Sequence, residues 1–233
     1  MNSVAISLDG LSVAVGIPTG RDLPAMTVKS LLGTFSRCQA MGIPCQLSMI
    51  ANNAVVQWAR DEVIDLFLRS DATRLFWIDS DMVWKSEDFM RMLALSQKRD
   101  VVCATYPAKL DQPTFYVNRD QGKALVPDDL GLLEIWGVGL GFTVMRREVV
   151  EALAEKAPKV LDEISGRQVA EVFRVASAPN AAGIRARVGE DMAFFSDIRS
   201  LGYKVWLDPL VDLGHIGMKQ YAGSIRDALQ LQA

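Results

Sequence analysis

Two hydrophobic periodicities alternate along the first half of the chain. Segments typical of buried strands occupy residues 11–17, 44–50, 75–78 and 101–105, and residues 75–78 form an uninterrupted apolar run. The segments between them repeat apolar residues at a period near 3.6, which predicts helices. This alternation predicts βαβ units, and therefore an α/β fold with a mostly parallel, right-handed, Rossmann-like sheet and helices on both faces over residues 11–106.

Three helices are predicted in this half. The first covers residues 24–41, with Met26, Leu31, Leu32 and Phe35 expected on its buried side. The second follows Asn52 or Asn53, and the third is expected to begin with Ser86 as its N-cap. Their placement between the strands completes the alternating pattern.

The regular alternation of strand and helix patterns ends in the second half of the chain. Residues 107–131 resemble a long loop, and strands are predicted at 132–136, 142–145 and 204–207. Helices are predicted at 147–156 and from Glu190 to Leu201, and residues 171–175 are expected to form a hairpin. We expect one domain over residues 1–233, in which the alternating pattern of residues 11–106 is followed by a differently patterned part (107–217) and a tail (218–233).

Two carboxylates follow the most apolar strand. Residues 75–78 are all apolar, and Asp79, Ser80 and Asp81 come directly after them. In an extended segment residues i and i+2 point the same way, so Asp79 and Asp81 are expected to converge at the carboxyl end of the strand. Two converging carboxylates repel each other, and a divalent cation that also binds phosphate oxygens would relieve that repulsion. Ligands of open α/β sheets bind at this same edge. The alternative is a polar turn that caps the next helix.

Two further segments carry chemically useful side chains. His215 is the only histidine and stands between glycines. We expect it in a loop after an apolar strand, where it would supply a third metal ligand. The alternative is a structural or surface histidine. Glu190 and Asp191 begin a helix, where the helix dipole alone favours acidic residues. That explanation is stronger for Glu190 than for Asp191, which is well placed to act as a base beside a cleft.

Gly137, Gly139 and Gly141 have the spacing of a phosphate-binding loop. They precede a strand and not a helix, so the dinucleotide-binding fingerprint fails. We expect these glycines either to let the backbone approach a substrate or to turn the chain.

Composition and charge narrow the class of protein. Half of the 233 residues are hydrophobic and 23% are charged, as in globular proteins. The net charge of −3 excludes a global basic field that would attract nucleic acid or an anionic membrane. The three cysteines lack metal-ligand spacing, and no apolar run approaches the ~20 residues of a membrane span. We therefore expect a cytoplasmic protein with reduced cysteines and no membrane span.

The order of these features resembles a GT-A fold, family-2-like glycosyltransferase of the compact kind found in bacteriophages. The resemblance spans residues 11–217 and implies a nucleotide-binding half (11–106), an acceptor and catalytic half (107–217) and a tail or lid (218–233). It rests on the segments AVGIPTGR, NNAVVQWARDEV, LFWIDSDMVW, VGLGFTVMRREVVEAL, GEDMAFFSDIRSLGYKVWLDP and GHIG.

The resemblance implies a nucleoside-diphosphate sugar donor, with a UDP-sugar favoured, and Mn²⁺ or Mg²⁺ as cofactor. Asp191 would be the catalytic base of an inverting transfer, and the metal ligands would be Asp79, Asp81 and His215. Donor-binding residues would be Thr19, Gly20, Arg21, Arg60, Asp79 and Ser80. Lys219 and Tyr221, on the tail, are added as donor-binding residues because they could close over the diphosphate, although they could equally belong to an ordinary exposed tail. The expected acceptor-binding residues are Trp136, Gly137, Gly139 and Glu190.

The sequence is also compatible with two other functions. A nucleotidyltransferase uses a related sheet and a metal-binding aspartate, although GIPTGR is a poor version of its glycine-rich basic loop. The second alternative is a non-catalytic module that binds nucleotide sugars or proteins. For the transferase, the acceptor hydroxyl could belong to a sugar, a small molecule or a hydroxymethylated base in phage DNA.

Overall fold

A computed structural model describes residues 6–163, 165–179, 182–217 and 219–230. The helices of this part of the chain are α1 (Ala25–Ala40), α2 (Val56–Leu68), α3 (Ser86–Leu95), α4 (Arg147–Lys156), α5 (Glu190–Ser200) and α6 (Ile225–Leu229). Its strands are β1 (Val13–Thr19), β2 (Cys45–Ala51), β3 (Arg74–Ile78), β4 (Met82–Val83), β5 (Val101–Cys103), β6 (Leu133–Ile135), β7 (Phe142–Arg146), β8 (Lys159–Asp162), β9 (Arg167–Ala170), β10 (Ala176–Pro179), β11 (Arg185–Val188), β12 (Val205–Leu207), β13 (Leu213–Ile216) and β14 (Gln220–Gly223).

The central sheet has seven strands in the order β2-β1-β3-β7-β5-β12-β6. Strands β2, β1, β3, β5 and β12 share one direction, whereas β7 and β6 run antiparallel to their neighbours. The prediction of an α/β fold with a mostly parallel sheet is confirmed. Strand β7, from the second half of the chain, lies between β3 and β5 and so joins the two halves in one sheet.

Strand β3 is buried on both faces, as its uninterrupted apolar sequence predicts. Leu75 and Trp77 pack in a core with α2, α4 and α5, whereas Phe76 and Ile78 pack in the opposite core with α1 and α3. All four side chains are buried. Helices therefore cover both faces of the sheet, as expected.

The buried side of α1 differs from the prediction. Leu31 is buried and Phe35 partly buried as expected, but Met26 and Leu32 are 44% and 64% exposed, and small polar residues are buried in their place. Ser30 Oγ accepts a hydrogen bond from the Trp84 backbone N–H (3.1 Å), and Thr34 Oγ1 accepts one from the Trp84 indole N–H (2.8 Å). Because the helix binds Trp84 through these hydroxyls, its buried face cannot be recognised from apolar periodicity alone.

The expected hairpin at residues 171–175 is wrong. This segment is irregular and lies between two hairpins, β8–β9 and β10–β11. The buried Asp61 carboxylate accepts hydrogen bonds from the backbone N–H groups of Val172 (2.9 Å) and Phe173 (3.0 Å), which satisfies them without a strand partner.

The ends of several other elements also shift. Strand β1 continues through Pro18 to Thr19, and α3 begins at Ser86 after Lys85, without a side-chain cap. Among the helices of the described residues, none is long and apolar enough to cross a membrane.

Candidate active site

The chain turns sharply where β3 ends. The Met82 backbone N–H donates to the Asp79 carbonyl oxygen (3.2 Å), so residues 79–82 form a turn that leads into β4. In a turn, residues i and i+2 no longer point the same way. The Asp79 carboxylate therefore contacts Arg60 and Tyr106, whereas the Asp81 carboxylate contacts Lys109 and His215.

The expected convergence of Asp79, Asp81 and His215 is thus not found. Within the described part of the chain, no three histidine, cysteine, aspartate or glutamate side chains come together as a metal-binding group. Asp81 and His215 do meet, with 3.4 Å between His215 Nε2 and Asp81 Oδ2. The carboxylate of Asp79 is drawn instead to the guanidinium of Arg60.

Arg60 joins three acidic side chains in one buried cluster. It lies on α2 with its side chain 4% exposed, and its Nη1 atom is 2.5 Å from Asp191 Oδ1 and 3.4 Å from Glu190 Oε1. Its Nη2 atom is 3.3 Å from Asp79 Oδ1, and the Phe173 ring lies 5.4 Å from the guanidinium carbon. Burial alone would lower the pKa of Arg60, but the three carboxylates raise it, so the guanidinium stays charged.

Asp191 is the member of this cluster best suited to accept a proton. It is the second residue of α5 and most of its side chain is buried. Burial raises its pKa, and Asp79 and Glu190 raise it further, while Arg60 opposes the rise. The net direction is upward, which makes the carboxylate a better base than an exposed aspartate.

His215 lies in β13 and not in a loop as expected. Strand β13 pairs with both β4 and β14, which places His215 opposite Met82 and Tyr221. His215 Nδ1 is 2.9 Å from the Pro107 carbonyl oxygen, which can only accept, so Nδ1 is the donor in this contact. Nε2 faces Asp81 and can donate to its carboxylate only when the ring carries both protons, whereas without that proton its lone pair is free for a cation.

Asp81 is correspondingly held as a carboxylate. Burial raises its pKa, but hydrogen bonds from His215 and from Lys109 Nζ, at 2.5 Å, lower it by more, so the net pKa is lowered. Asp81 and His215 are a suitable pair of ligands for Mn²⁺ or Mg²⁺, because a metal-binding histidine commonly has its other nitrogen bound to a carbonyl oxygen, as His215 has. The residues present therefore fit a cation at Asp81 and His215, with Asp79 two residues away.

Two residues that the sequence analysis missed connect these groups. The Tyr106 hydroxyl donates to Asp79 Oδ2 (3.3 Å), and the Tyr106 ring meets the His215 ring edge-on with centroids 4.9 Å apart. Lys109 neutralises Asp81. Both residues follow β5 at its carboxyl end, the one available sign that they would reach the site.

The three glycines of residues 137–141 allow close packing of the chain's own side chains. A Cβ atom on Gly141 would lie 2.5 Å from Asp79 Oδ2, and one on Gly139 would lie 2.3 Å from the Tyr106 hydroxyl. At Gly137 the Cβ would lie 2.8 Å from the Phe195 ring. Contact of Gly137 or Gly139 with an acceptor stays a prediction.

The remaining residues singled out from the sequence surround these clusters. Thr19 is buried at the end of β1, beside β3 in the sheet, and Gly20 and Arg21 are exposed just after it. Lys219 pairs with Asp111 of the 107–131 loop and lies over the Tyr221 ring. Ser80 is half-buried in the turn, and Trp136 is 41% exposed beneath the Arg199 guanidinium.

Comparisons with known proteins give structural similarity alone. No protein-family model and no curated protein matches the chain. The solved structure of A197 from STIV is similar over 92% of this chain and 90% of that chain, with a TM-score of 0.59 and 21% identity. GalNAc-T7, crystallised with UDP, GalNAc and Mn²⁺, is similar over 90% of this chain, with a TM-score of 0.55 and 10% identity. The fold is GT-A.

The similarity to GalNAc-T7 covers 44% of that protein's chain, so the two proteins share a domain and not a whole architecture. A third structure, 4-diphosphocytidyl-2C-methyl-D-erythritol synthase from Anaerococcus prevotii, has a TM-score of 0.37, which is too low to bear on the fold. In the GT-A fold of this chain, both acidic clusters lie at or beside the carboxyl end of β3.

Proposed function

We propose that this protein is a metal-dependent glycosyltransferase that moves a sugar from a nucleoside diphosphate, preferably UDP, to a hydroxyl acceptor. The observation that carries the proposal is the cluster of Arg60 with Asp79 and Asp191, next to the Asp81–His215 pair. One cluster offers a base and the other offers cation ligands, on a fold that a UDP-binding protein shares.

The residues divide the chemistry between them. Asp81 and His215 would hold Mn²⁺ or Mg²⁺, and Asp79, whose carboxylate is held by Arg60, would contribute through water. Imidazole ligation favours Mn²⁺ slightly. Such a cation stabilises negative charge on the departing diphosphate as a Lewis acid. Thr19, Gly20, Arg21 and Ser80 would contact the nucleotide, and Lys219 and Tyr221 would close over the diphosphate.

Asp191 would take the proton of the acceptor hydroxyl, which gives an inverting transfer. Its raised pKa suits a general base, and Arg60 holds its carboxylate at one fixed position. Glu190, Trp136, Gly137 and Gly139 would line the acceptor side. One candidate acceptor is a hydroxymethylated base in phage DNA. The family we propose is that of the compact, family-2-like glycosyltransferases.

The proposal is tested by incubating the protein with a panel of nucleotide sugars and Mn²⁺ and measuring release of free nucleoside diphosphate. We expect release from a UDP-sugar that disappears with excess EDTA. Release of pyrophosphate from a nucleoside triphosphate and a sugar phosphate would instead identify a nucleotidyltransferase. Tight UDP binding without turnover would identify a binding module.

A further inference from the structure

A second concave surface lies between α2 and the β8–β9 hairpin. This cleft has a volume of about 480 Å³ and is lined by Trp58 and by Val160 and Leu161 of the hairpin. These three side chains are 61%, 37% and 62% exposed. An exposed group of large apolar residues that shares one cleft is typical of an interaction site.

The surroundings of this cleft are strongly acidic. Its lining includes five carboxyl side chains, those of Asp61, Glu62, Asp162, Glu163 and Glu171, and none of the described residues that line it is basic. The nearby basic groups of the hairpin are held elsewhere. Lys159 Nζ donates to the Ala154 carbonyl oxygen (2.7 Å), and Arg167 pairs with Asp65 (3.1 Å).

The cleft is separate from the candidate active site. Arg60 and Asp61 are adjacent on α2, but the Arg60 guanidinium contacts Asp79 and Asp191 whereas Asp61 contacts the backbone of residues 172 and 173. Residues 171–173 therefore lie between the two surfaces, with Glu171 lining the cleft and the Phe173 ring beneath Arg60.

We propose that this cleft binds a basic peptide segment of a partner protein, with one apolar side chain seated against Trp58 and Leu161. Lysine or arginine residues on either side of that anchor would face the exposed carboxylates of Glu163 and Glu171, and an arginine could also stack on the exposed indole. The volume suits one or two anchoring side chains and not a folded domain. The inference is independent of the glycosyltransferase proposal.

The probe for this site is a short fluorescent peptide in which one leucine is flanked on both sides by lysines and arginines. We expect saturable binding, measured by fluorescence anisotropy, that is about tenfold tighter than for the same peptide with serine in place of leucine. Binding should weaken with added salt, because the carboxylates of the cleft other than that of the buried Asp61 are partly or fully exposed. Peptide binding should also shield an exposed tryptophan from acrylamide quenching.

Three variants locate the peptide. Trp58→Ser and Leu161→Ser should each lose about tenfold in affinity, and Glu163→Gln should lose less but also reduce the salt dependence. Tyr116→Ser is the matched control, since Tyr116 is an exposed aromatic residue (67%) that does not line the cleft, and it should bind normally. Circular dichroism and thermal melting confirm that each variant is folded.

Equal binding of the leucine and serine peptides, or binding unchanged by Trp58→Ser, would overturn the proposal, because the interaction would then be general electrostatic attraction. Self-association seen by sedimentation velocity and abolished by Trp58→Ser would also overturn it. In that case the cleft would be an interface with a second copy of the chain.

Discussion

Replacing Arg60 with methionine removes the guanidinium that three acidic side chains share and keeps an apolar side chain of similar length. The guanidinium nitrogens lie 2.5–3.4 Å from the oxygens of Asp79, Glu190 and Asp191. Removing one partner of a buried ion pair costs about 3–5 kcal/mol of unfolding free energy, because the remaining charge stays buried without a counter-ion. The three carboxylates are 23–28% exposed, so we expect a loss of about 3 kcal/mol, at the lower end of that range.

This loss should also depend on pH. Without Arg60, burial and the neighbouring carboxylates raise the pKa of Asp191 further, so the folded chain binds a proton that the unfolded chain has already released. The stability of the variant then falls as the pH rises above the unfolded pKa of about 4. We therefore expect a greater loss at about pH 8 than at about pH 5.

Urea unfolding followed by circular dichroism measures both effects. Arg69→Met is the matched control, because Arg69 follows the same helix, is 49% exposed and pairs with Asp65 at 3.1 Å. We expect the control to lose less than about 1 kcal/mol. If Arg60→Met lost no more than this control at either pH, the assignment of Arg60 as the counter-ion of the cluster would be refuted.

Three further substitutions test the site and its support. Asp191→Asn should lower kcat by about 10²–10⁴-fold with donor binding retained, and a normal kcat would remove Asp191 as base and favour a retaining transfer. Burial raises the pKa of Asp61 to about 7, so its contribution to stability is present below about pH 4 and is lost as the pH rises to 7. Asp61→Asn, whose amide oxygen can still accept from Val172, should lose that dependence and gain up to about 4 kcal/mol relative to the parent at about pH 8, as measured by urea unfolding. Gly141→Ala places a Cβ 2.5 Å from Asp79 Oδ2, so it should cost about 1–3 kcal/mol of stability, whereas Gly131→Ala, with nothing within 4 Å of its Cβ, should cost only the strain of its positive φ.

Much of the fold was predictable because burial on both faces leaves a clear trace in the sequence. The run of apolar residues in β3 predicted a strand buried on both faces, and Glu190 was correctly placed at the start of α5. The sequence could not show that β7 would separate β3 from β5. An antiparallel strand in that position has the same apolar pattern as a parallel one.

The sequence singled out candidate residues for the site, but it did not predict how their side chains are directed. Asp79, Asp81 and His215 were expected to converge, yet the turn after β3 directs Asp79 to Arg60 and Asp81 to His215. Tyr106 and Lys109 were missed because neither follows an apolar period, and only their position after the carboxyl end of β5 indicates that they reach the site. The partners of Arg60 were equally inaccessible, since a basic residue on a helix has the same sequence signature whether it binds a nucleotide or three carboxylates.

The central claim is that Asp81 and His215 hold a cation that donor turnover requires. The most direct measurement is Mn²⁺-dependent release of UDP from UDP-sugars by the parent and by Asp81→Ala and His215→Ala, with Asp120→Ala as a control for an exposed aspartate. We predict a loss of ~10²-fold or more in Asp81→Ala, a loss in His215→Ala that added Mn²⁺ restores, and no release in excess EDTA. Full turnover in EDTA, or equal rates in the parent and Asp81→Ala, would contradict the claim.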